Sequence, residues 1–313
     1  MKIIIIDIIN NSIISKLEKN GVKCELNYFS NKSDIKKIIN KYDGIIIRSR
    51  FKIDKDFLDQ GTNLKFIVRA GSGMENIDVE YAESKGIKCL NAAAGNAQAV
   101  AEHALSILLN LFNKISIANN QVKNGIWKRE QNRGIELSGK TIGIIGFGNN
   151  GSAFTRILKG FDVKLLCYDK YLKKYDFQSS MEEIFKCADI ISLHIPLNLE
   201  TKYIINDDFI KKCRKPFYLI NTSRGKCVKN SAIVKGLKEK KILGVCLDVI
   251  ENEEISFEKI LLNKNDRDLK YILESEATIL TPHIAGWTEE SNIKISNIVS
   301  EKILNITDLY IGN

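Results

Sequence analysis

The chain has 313 residues, 44% of them apolar, 27% charged and only 3 proline. That balance excludes disordered, collagen-like and mucin-like classes, and the length predicts two domains at roughly 150 residues each. Lys and Arg outnumber Asp and Glu by 47 to 38, a net charge of +9. The densest basic groups, at 173–174, 211–215 and 238–241, fall at predicted helix ends and loops, where the helix dipole favours cations, so no nucleic-acid stripe is expected.

Short β-branched runs alternate with amphipathic segments from the first residue onward, the pattern of parallel sheets covered by helices on both faces. Strands are predicted at 2–7, 22–29, 44–48, 64–69 and 87–90, with helices such as 12–19, 34–41 and 79–84 between them. The opening run Ile3 to Ile6 is interrupted by Asp7 too early for a signal peptide, and no stretch reaches the roughly 18 uncharged apolar residues of a membrane helix. From 96 to 122 the pattern becomes one long helix, with Ala99, Ala101, Ala104, Leu105, Leu108, Leu109 and Phe112 apolar on more than one face. A helix that apolar must be buried by something large. A second series follows, with strands at 141–145, 163–169, 190–194, 217–221, 242–249 and 278–280 and a closing helix at 289–308. The fold class is therefore α/β, two doubly wound parallel sheets. The seven cysteines form no Cys-x-x-Cys pair and have no clustered histidine partners, which predicts reduced thiols, a cytoplasmic protein and no metal site.

The strand at 141–145 runs straight into Gly146-Phe147-Gly148-Asn149-Asn150-Gly151, a helical pattern follows from Ser152, and the next strand ends in Asp169. A Gly-x-Gly-x-x-Gly in that context is a dinucleotide-binding fingerprint. Gly146 permits the tight turn, Gly148 lets the backbone approach a pyrophosphate, and Gly151 allows close helix packing. Asp169 at the second strand end favours NAD over NADP, since a carboxylate accepts from ribose hydroxyls and repels a 2′-phosphate.

Three polar groups follow late strands: Arg224, Glu253 and His283. Ligands of open α/β sheets bind outside the carboxyl ends of strands. Dehydrogenating an alcohol requires a base near neutral pKa, a carboxylate to orient it and a cation to hold a substrate carboxylate, and His, Glu and Arg meet those needs in that order.

Together with Val68-Arg69-Ala70-Gly71-Ser72-Gly73-Met74-Glu75-Asn76-Ile77-Asp78, Gly95-Asn96, Val100-Ala101-Glu102, Lys123-Asn124-Gly125-Ile126-Trp127 and Glu136-Leu137-Ser138-Gly139-Lys140-Thr141, these motifs make the chain resemble the D-isomer-specific 2-hydroxyacid dehydrogenase family over nearly all its length. The resemblance implies a Rossmann NAD-binding domain at 93–282 inserted into a flavodoxin-like substrate domain at 1–92 and 283–313, with the active site in the cleft between them. It implies His283 as acid/base, Glu253 as its partner and Arg224 as the substrate-binding cation. Asp248 is implied at the nicotinamide carboxamide, and Asn149, Asn150, Pro196, Thr222 and Ser223 along the cofactor. Ser72 and Gly73 would offer backbone N–H groups to a substrate carboxylate. A phosphorylated 2-hydroxy acid is the small-molecule substrate most consistent with Arg48, Arg50 and Arg69 at strand ends, of which Arg48 and Arg69 match family positions associated with a phosphate. The resemblance further implies a homodimer through the nucleotide domain, which would cover the apolar helix from Asn96 and the exposed Trp127.

Departures from the family pattern are Glu254 for a common Pro after the catalytic Glu, Ala93 for another Pro, and Lys229 for an Asp after the Arg-Gly turn. The second carboxylate beside Glu253 leaves that loop's register open by one residue. His103 reads as a core or interface residue, His194 as a structural contact on the cofactor side, and Trp287 carries no assigned role. Another 2-hydroxyacid dehydrogenase acting on glycerate, hydroxypyruvate or glyoxylate is the enzymatic alternative. A dinucleotide-sensing binding protein is disfavoured by the lack of long Ser/Pro/Gly-rich segments. The closing helix leaves no room within the 313 residues for an appended regulatory domain, so feedback inhibition through one is not expected.

Overall fold

Ile3, Ile4, Ile5 and Ile6 are all fully buried, which a strand achieves only when both faces of its sheet are covered. Ile3 and Ile5 pack into one core with Ile13, Leu17 and the C-terminal residues Val299 and Ile303. Ile4 and Ile6 pack into another, with Ile35, Phe57 and Ala82. The computed structural model describes residues 1–254 and 265–311, with side chains as far as Thr307.

The first unit comprises Met1–Ala97 and Trp287–Asn313. Its elements are β1 (Lys2–Ile5), α1 (Ser12–Lys19), β2 (Lys23–Leu26), α2 (Lys32–Ile38), β3 (Gly44–Ile47), α3 (Lys55–Gln60), β4 (Phe66–Arg69), α4 (Val79–Ser84) and β5 (Lys88–Asn91). All pairings are parallel, and the order β2-β1-β3-β4-β5 is that of a flavodoxin-like sheet. Asn31, Asp54 and Asp78 accept the N–H groups of Asp34, Phe57 and Tyr81 and so start α2, α3 and α4.

The second unit runs from Gln98 to Glu254 and closes at Gly286. It holds α5 (Ala97–Phe112), α6 (Ile115–Lys123), β6 (Thr141–Ile145), α7 (Asn149–Leu158), β7 (Lys164–Tyr168), α8 (Met181–Cys187), β8 (Ile190–Leu193), α9 (Asp207–Lys212), β9 (Phe217–Asn221), α10 (Asn230–Lys238), β10 (Ile242–Leu247), α11 (Arg267–Glu274) and β11 (Thr278–Leu280). The last helix, α12 (Glu289–Ile311), belongs to the first unit and packs there on α1. The six strands lie in the order β11-β10-β9-β8-β6-β7, all parallel. Where a full Rossmann sheet carries a further strand beyond β7, this chain has a single parallel bridge between Cys167 and Gln178. The order reverses between β6 and β8, the switch point at which such sheets bind ligands.

One expectation needs correction. The helix expected over 96–122 is two helices, because Lys114 takes a left-handed φ of 51° and the Asn110 amide turns to bond Ser116, a side-chain competition that breaks the backbone ladder. Much of the apolar surface of α5 is covered by the chain itself: Val100, Ala101, Ala104, Ile107, Leu108 and Phe112 are buried, and Phe112 packs edge-on against Tyr218, while Leu105 and Leu109 are half-buried. The second unit closes at Gly286, where Asp248 holds the backbone of Ile284 and Ala285. Among the described residues no helix is long and apolar enough to cross a membrane.

Candidate active site

In the second unit the turn after β6 is built as a cradle. Gly146 sits at φ 95°, and a Cβ there would run into the carbonyl of His194, while one at Gly151 would run into the Gly146 carbonyl. Gly148, which starts α7 with no side-chain cap, faces open space. The first N–H groups of α7 are thus presented at a spot where an anion can approach. Asp169 completes the turn: its Oδ2 accepts from Phe147 N (2.8 Å) and its Oδ1 from Tyr171 N (2.9 Å) and Leu172 N (3.0 Å). Burial opposes its charge, but these three donors outweigh it and hold the carboxyl below its ordinary range.

Asn150 Oδ1, Thr222 Oγ1 and His194 Nδ1 are buried side-chain atoms without a hydrogen-bond partner. Orphaned polar atoms at strand ends and in the first turn of α7 mark a place where a polar ligand belongs, so the residues present fit a dinucleotide. His194 donates to or accepts from Ser192 Oγ through Nε2 at 2.9 Å, and burial pushes its pKa down to about 3; it stays neutral at working pH. Ser223 joins the ends of β8 and β9, donating to Leu193 O and accepting from Ile195 N. Asn149 and Pro196 are exposed on the same unit, and the Pro196 carbonyl accepts from Thr201 Oγ1 at 2.6 Å.

Arg224, Glu253 and His283 follow β9, β10 and β11, three neighbouring strands. His283 Nδ1 contacts Glu253 Oε1, so the carboxylate that meets the imidazole is Glu253. With Nδ1–H donated to that carboxylate, a proton that the imidazole exchanges passes through Nε2. The Glu253 loop is secured by its neighbours. Glu251 accepts from Asn230 N (2.9 Å) and from Tyr203 Oη (2.7 Å), and Asn252 accepts from Asn230 Nδ2 (2.7 Å). This explains the Lys at 229: the N-terminus of α10 has no cap from Lys229, and Glu251 supplies the carboxylate from across the loop.

In the first unit, Arg48 follows β3 directly and Arg69 ends β4. Arg69 Nε donates to the Arg48 carbonyl at 3.2 Å, and a Cβ at Gly71 would collide with the Arg69 guanidinium. The Arg48 guanidinium lies 4.2 Å from the Trp287 ring centroid; burial lowers its pKa, opposed by the charge of Asp7. Arg50 does not join them: its Nη1 donates to Ile6 O (2.6 Å) and Asn27 O (2.8 Å), tying strand ends together. Ser72 Oγ donates to Asn96 Oδ1 at 2.7 Å. Sequence reasoning missed Trp287 because the Arg48 contact spans most of the chain, and it read His103 as a core or interface residue although its Nε2 lies 2.9 Å from Thr281 Oγ1.

Comparison with known proteins agrees with this geometry. Residues 105–285 match the D-isomer specific 2-hydroxyacid dehydrogenase, NAD binding domain. A D-3-phosphoglycerate dehydrogenase of Archaeoglobus fulgidus is 31% identical over 98% of this chain and 57% of its own length, so the chain spans little more than half of that relative. A hydroxypyruvate reductase of Thermotoga maritima is 34% identical over 87% of both chains. The solved structure of D-lactate dehydrogenase from Aquifex aeolicus, complexed with NAD and lactic acid, matches with a TM-score of 0.83 at 26% identity, covering 98% of this chain and 95% of that one. The chain belongs to the D-isomer-specific 2-hydroxyacid dehydrogenase family, and its second unit carries the family's NAD-binding domain.

The charge of Asp169 sets an expectation for cofactor choice. Asp169→Ser removes a repulsive carboxylate and a ribose acceptor, so the preference in kcat/KM for NAD over NADP is expected to fall at least about tenfold. Steady-state kinetics with both cofactors checks this, and an unchanged ratio would place the ribose elsewhere.

Proposed function

We propose that this chain is a cytoplasmic NAD-dependent dehydrogenase that oxidises D-3-phosphoglycerate to 3-phosphohydroxypyruvate, the entry to L-serine biosynthesis. The His283–Glu253 contact, with Arg224 on the adjacent strand end, carries the dehydrogenase reading. Bound NAD supplies the acceptor for the hydride leaving C2. His283 Nε2 takes the C2 hydroxyl proton, so that alcohol and NAD become ketone, NADH and one proton. Glu253 keeps the imidazole in the tautomer with Nδ1–H and balances the charge of the protonated ring. Arg224 holds the substrate carboxylate through a charged fork. Ser72 and Gly73 add backbone donors to the same substrate.

The phosphate preference rests on Arg48 and Arg69. A phosphomonoester is well held by guanidinium forks, and among the described residues no carboxylate lies within ion-pair reach of Arg48. Arg48→Ala and Arg69→Ala are each expected to raise KM for 3-phosphoglycerate by roughly 10- to 100-fold, the loss of a charged hydrogen bond, and to leave activity on glycerate nearly unchanged. Equal losses on both substrates, or a wild type that prefers glycerate or glyoxylate, would favour the second reading. That reading is a hydroxypyruvate or glyoxylate reductase, supported by the alignment with the Thermotoga protein over 87% of both chains.

The active form in this proposal is a homodimer. No side chain of α6 is buried, and Trp127 is 77% exposed, which a second copy would cover. Sedimentation velocity is expected to give a single dimeric species, and a monomer that retains full activity would refute this.

A further inference from the structure

Asp248 follows β10 and is 1% exposed. A carboxylate so far from water needs donors, and the turn that carries His283 provides them. Thr281 Oγ1 (2.6 Å) and Ile284 N (2.8 Å) donate to Oδ1, and Ala285 N (2.8 Å) donates to Oδ2. The Asp248 carbonyl accepts from His283 N at 2.8 Å. The chain from 281 to 285 is therefore wrapped around one side chain. At its centre His283 has a φ of 57°, a left-handed conformation uncommon in any residue other than glycine, which the bonds around it hold in place.

One further group reaches this turn. His103, on α5, has Nε2 2.9 Å from Thr281 Oγ1 and 3.5 Å from Asp248 Oδ1. A hydroxyl has one proton. Thr281 gives that proton to Asp248, which when ionised can only accept, so Thr281 must accept from His103. The His103 ring therefore carries its proton on Nε2. The contacts form a directed chain, from His103 Nε2–H to Thr281 Oγ1–H to Asp248 Oδ1, with every proton assigned.

We infer that His103, acting through Thr281 on Asp248, is a positioning residue that holds His283 in its left-handed conformation against Glu253. His103 fixes the rotamer of Thr281, and Thr281 fixes the carboxylate around which the turn closes. The inference rests on the reading of His283 as the acid/base. Its first test does not depend on turnover.

The chain has three histidines, so proton–nitrogen correlation spectra of the imidazoles resolve three rings, assigned by single replacements. His103 is expected as the Nε2–H tautomer with a slowly exchanging proton. In Thr281→Val that proton loses protection and the His283 ring signals move, whereas Thr281→Ser retains both. An Nδ1–H tautomer for His103, or His283 signals unmoved in Thr281→Val, overturns the inference. In turnover, Thr281→Val is expected to lower kcat by about 10- to 100-fold, with KM and NADH affinity within about twofold. His103→Leu is expected to lower kcat less, and His103→Gln, which keeps a donor, to restore most of that loss. The double variant Thr281→Val with His103→Leu loses no more than Thr281→Val alone, because the two act along one chain. Additive losses, or wild-type kcat in Thr281→Val, refute positioning. If Thr281→Val does not fold, His103→Leu against His103→Gln decides by the same readouts. A wild type that turns over none of the hydroxy acids tried refutes the proposed function, while the ring spectra still decide the inference.

Discussion

His283→Ala is expected to lower turnover by about 100- to 10,000-fold, the scale of a lost general acid/base, while NADH binds nearly as well as to the wild type. The separation follows from the geometry. His283 is held by Glu253 and by the Asp248 turn after β10 and β11, whereas the cofactor cradle is built from the turn after β6 and from Asp169. Removing the imidazole takes away the proton acceptor and leaves that cradle intact. Glu253→Gln is expected to lower turnover as well, since an amide still fills the space but no longer compels the Nδ1–H tautomer. Stopped-flow NADH formation with NADH titration by fluorescence checks both halves. A His283→Ala protein with most of its turnover removes His283 from the chemistry.

Replacing the fingerprint glycines is expected to separate two kinds of glycine. Gly146→Ala places a methyl against the His194 carbonyl, with the Ile195 side chain 2.9 Å away, at a φ of 95°. The His194 carbonyl cannot yield, because it is backbone directly after the pairing of β6 and β8 at Ile145 and Leu193. A left-handed penalty of about 1–2 kcal/mol and an overpacking cost of about 1–3 kcal/mol fall on the same residue. Gly146→Ala is therefore expected to lower the melting temperature and weaken NADH binding together. Gly148→Ala meets nothing within 4 Å and is expected to melt like the wild type. Its methyl stands where the backbone must approach a pyrophosphate, so NADH affinity is expected to drop at least about tenfold, or 1.4 kcal/mol. Thermal melts with and without NADH distinguish the two. A Gly148→Ala protein that binds NADH normally would show that the pyrophosphate lies elsewhere.

The sequence by itself determined what depends on neighbours along the chain. The helices at Ser12–Lys19 and Val79–Ser84 and the strands Thr141–Ile145, Phe217–Asn221 and Thr278–Leu280 fall where periodicity predicts them. Hydrophobic period and turn residues are local signals. The fingerprint was legible for the same reason, since three glycines and the following carboxylate lie within one βαβ unit.

The tertiary structure decided what depends on partners distant in sequence. Arg48 and Arg50 are alike as sequence, yet Arg50 is taken by the carbonyls of Ile6 and Asn27 while Arg48 lies under Trp287. The Glu253 loop could be read in two registers until the imidazole thirty positions on selected one of two adjacent carboxylates. The break after Phe112 arises from asparagine side chains competing for the backbone, an outcome that apolar periodicity does not register. His103 lies 178 positions from Thr281, and no local pattern marks a histidine on an apolar helix as the donor to a hydroxyl on a different strand end. Hydrogen-bond direction and burial exist only once the strands are side by side, and for that reason the proton assignments at this site belong to the fold and not to the sequence.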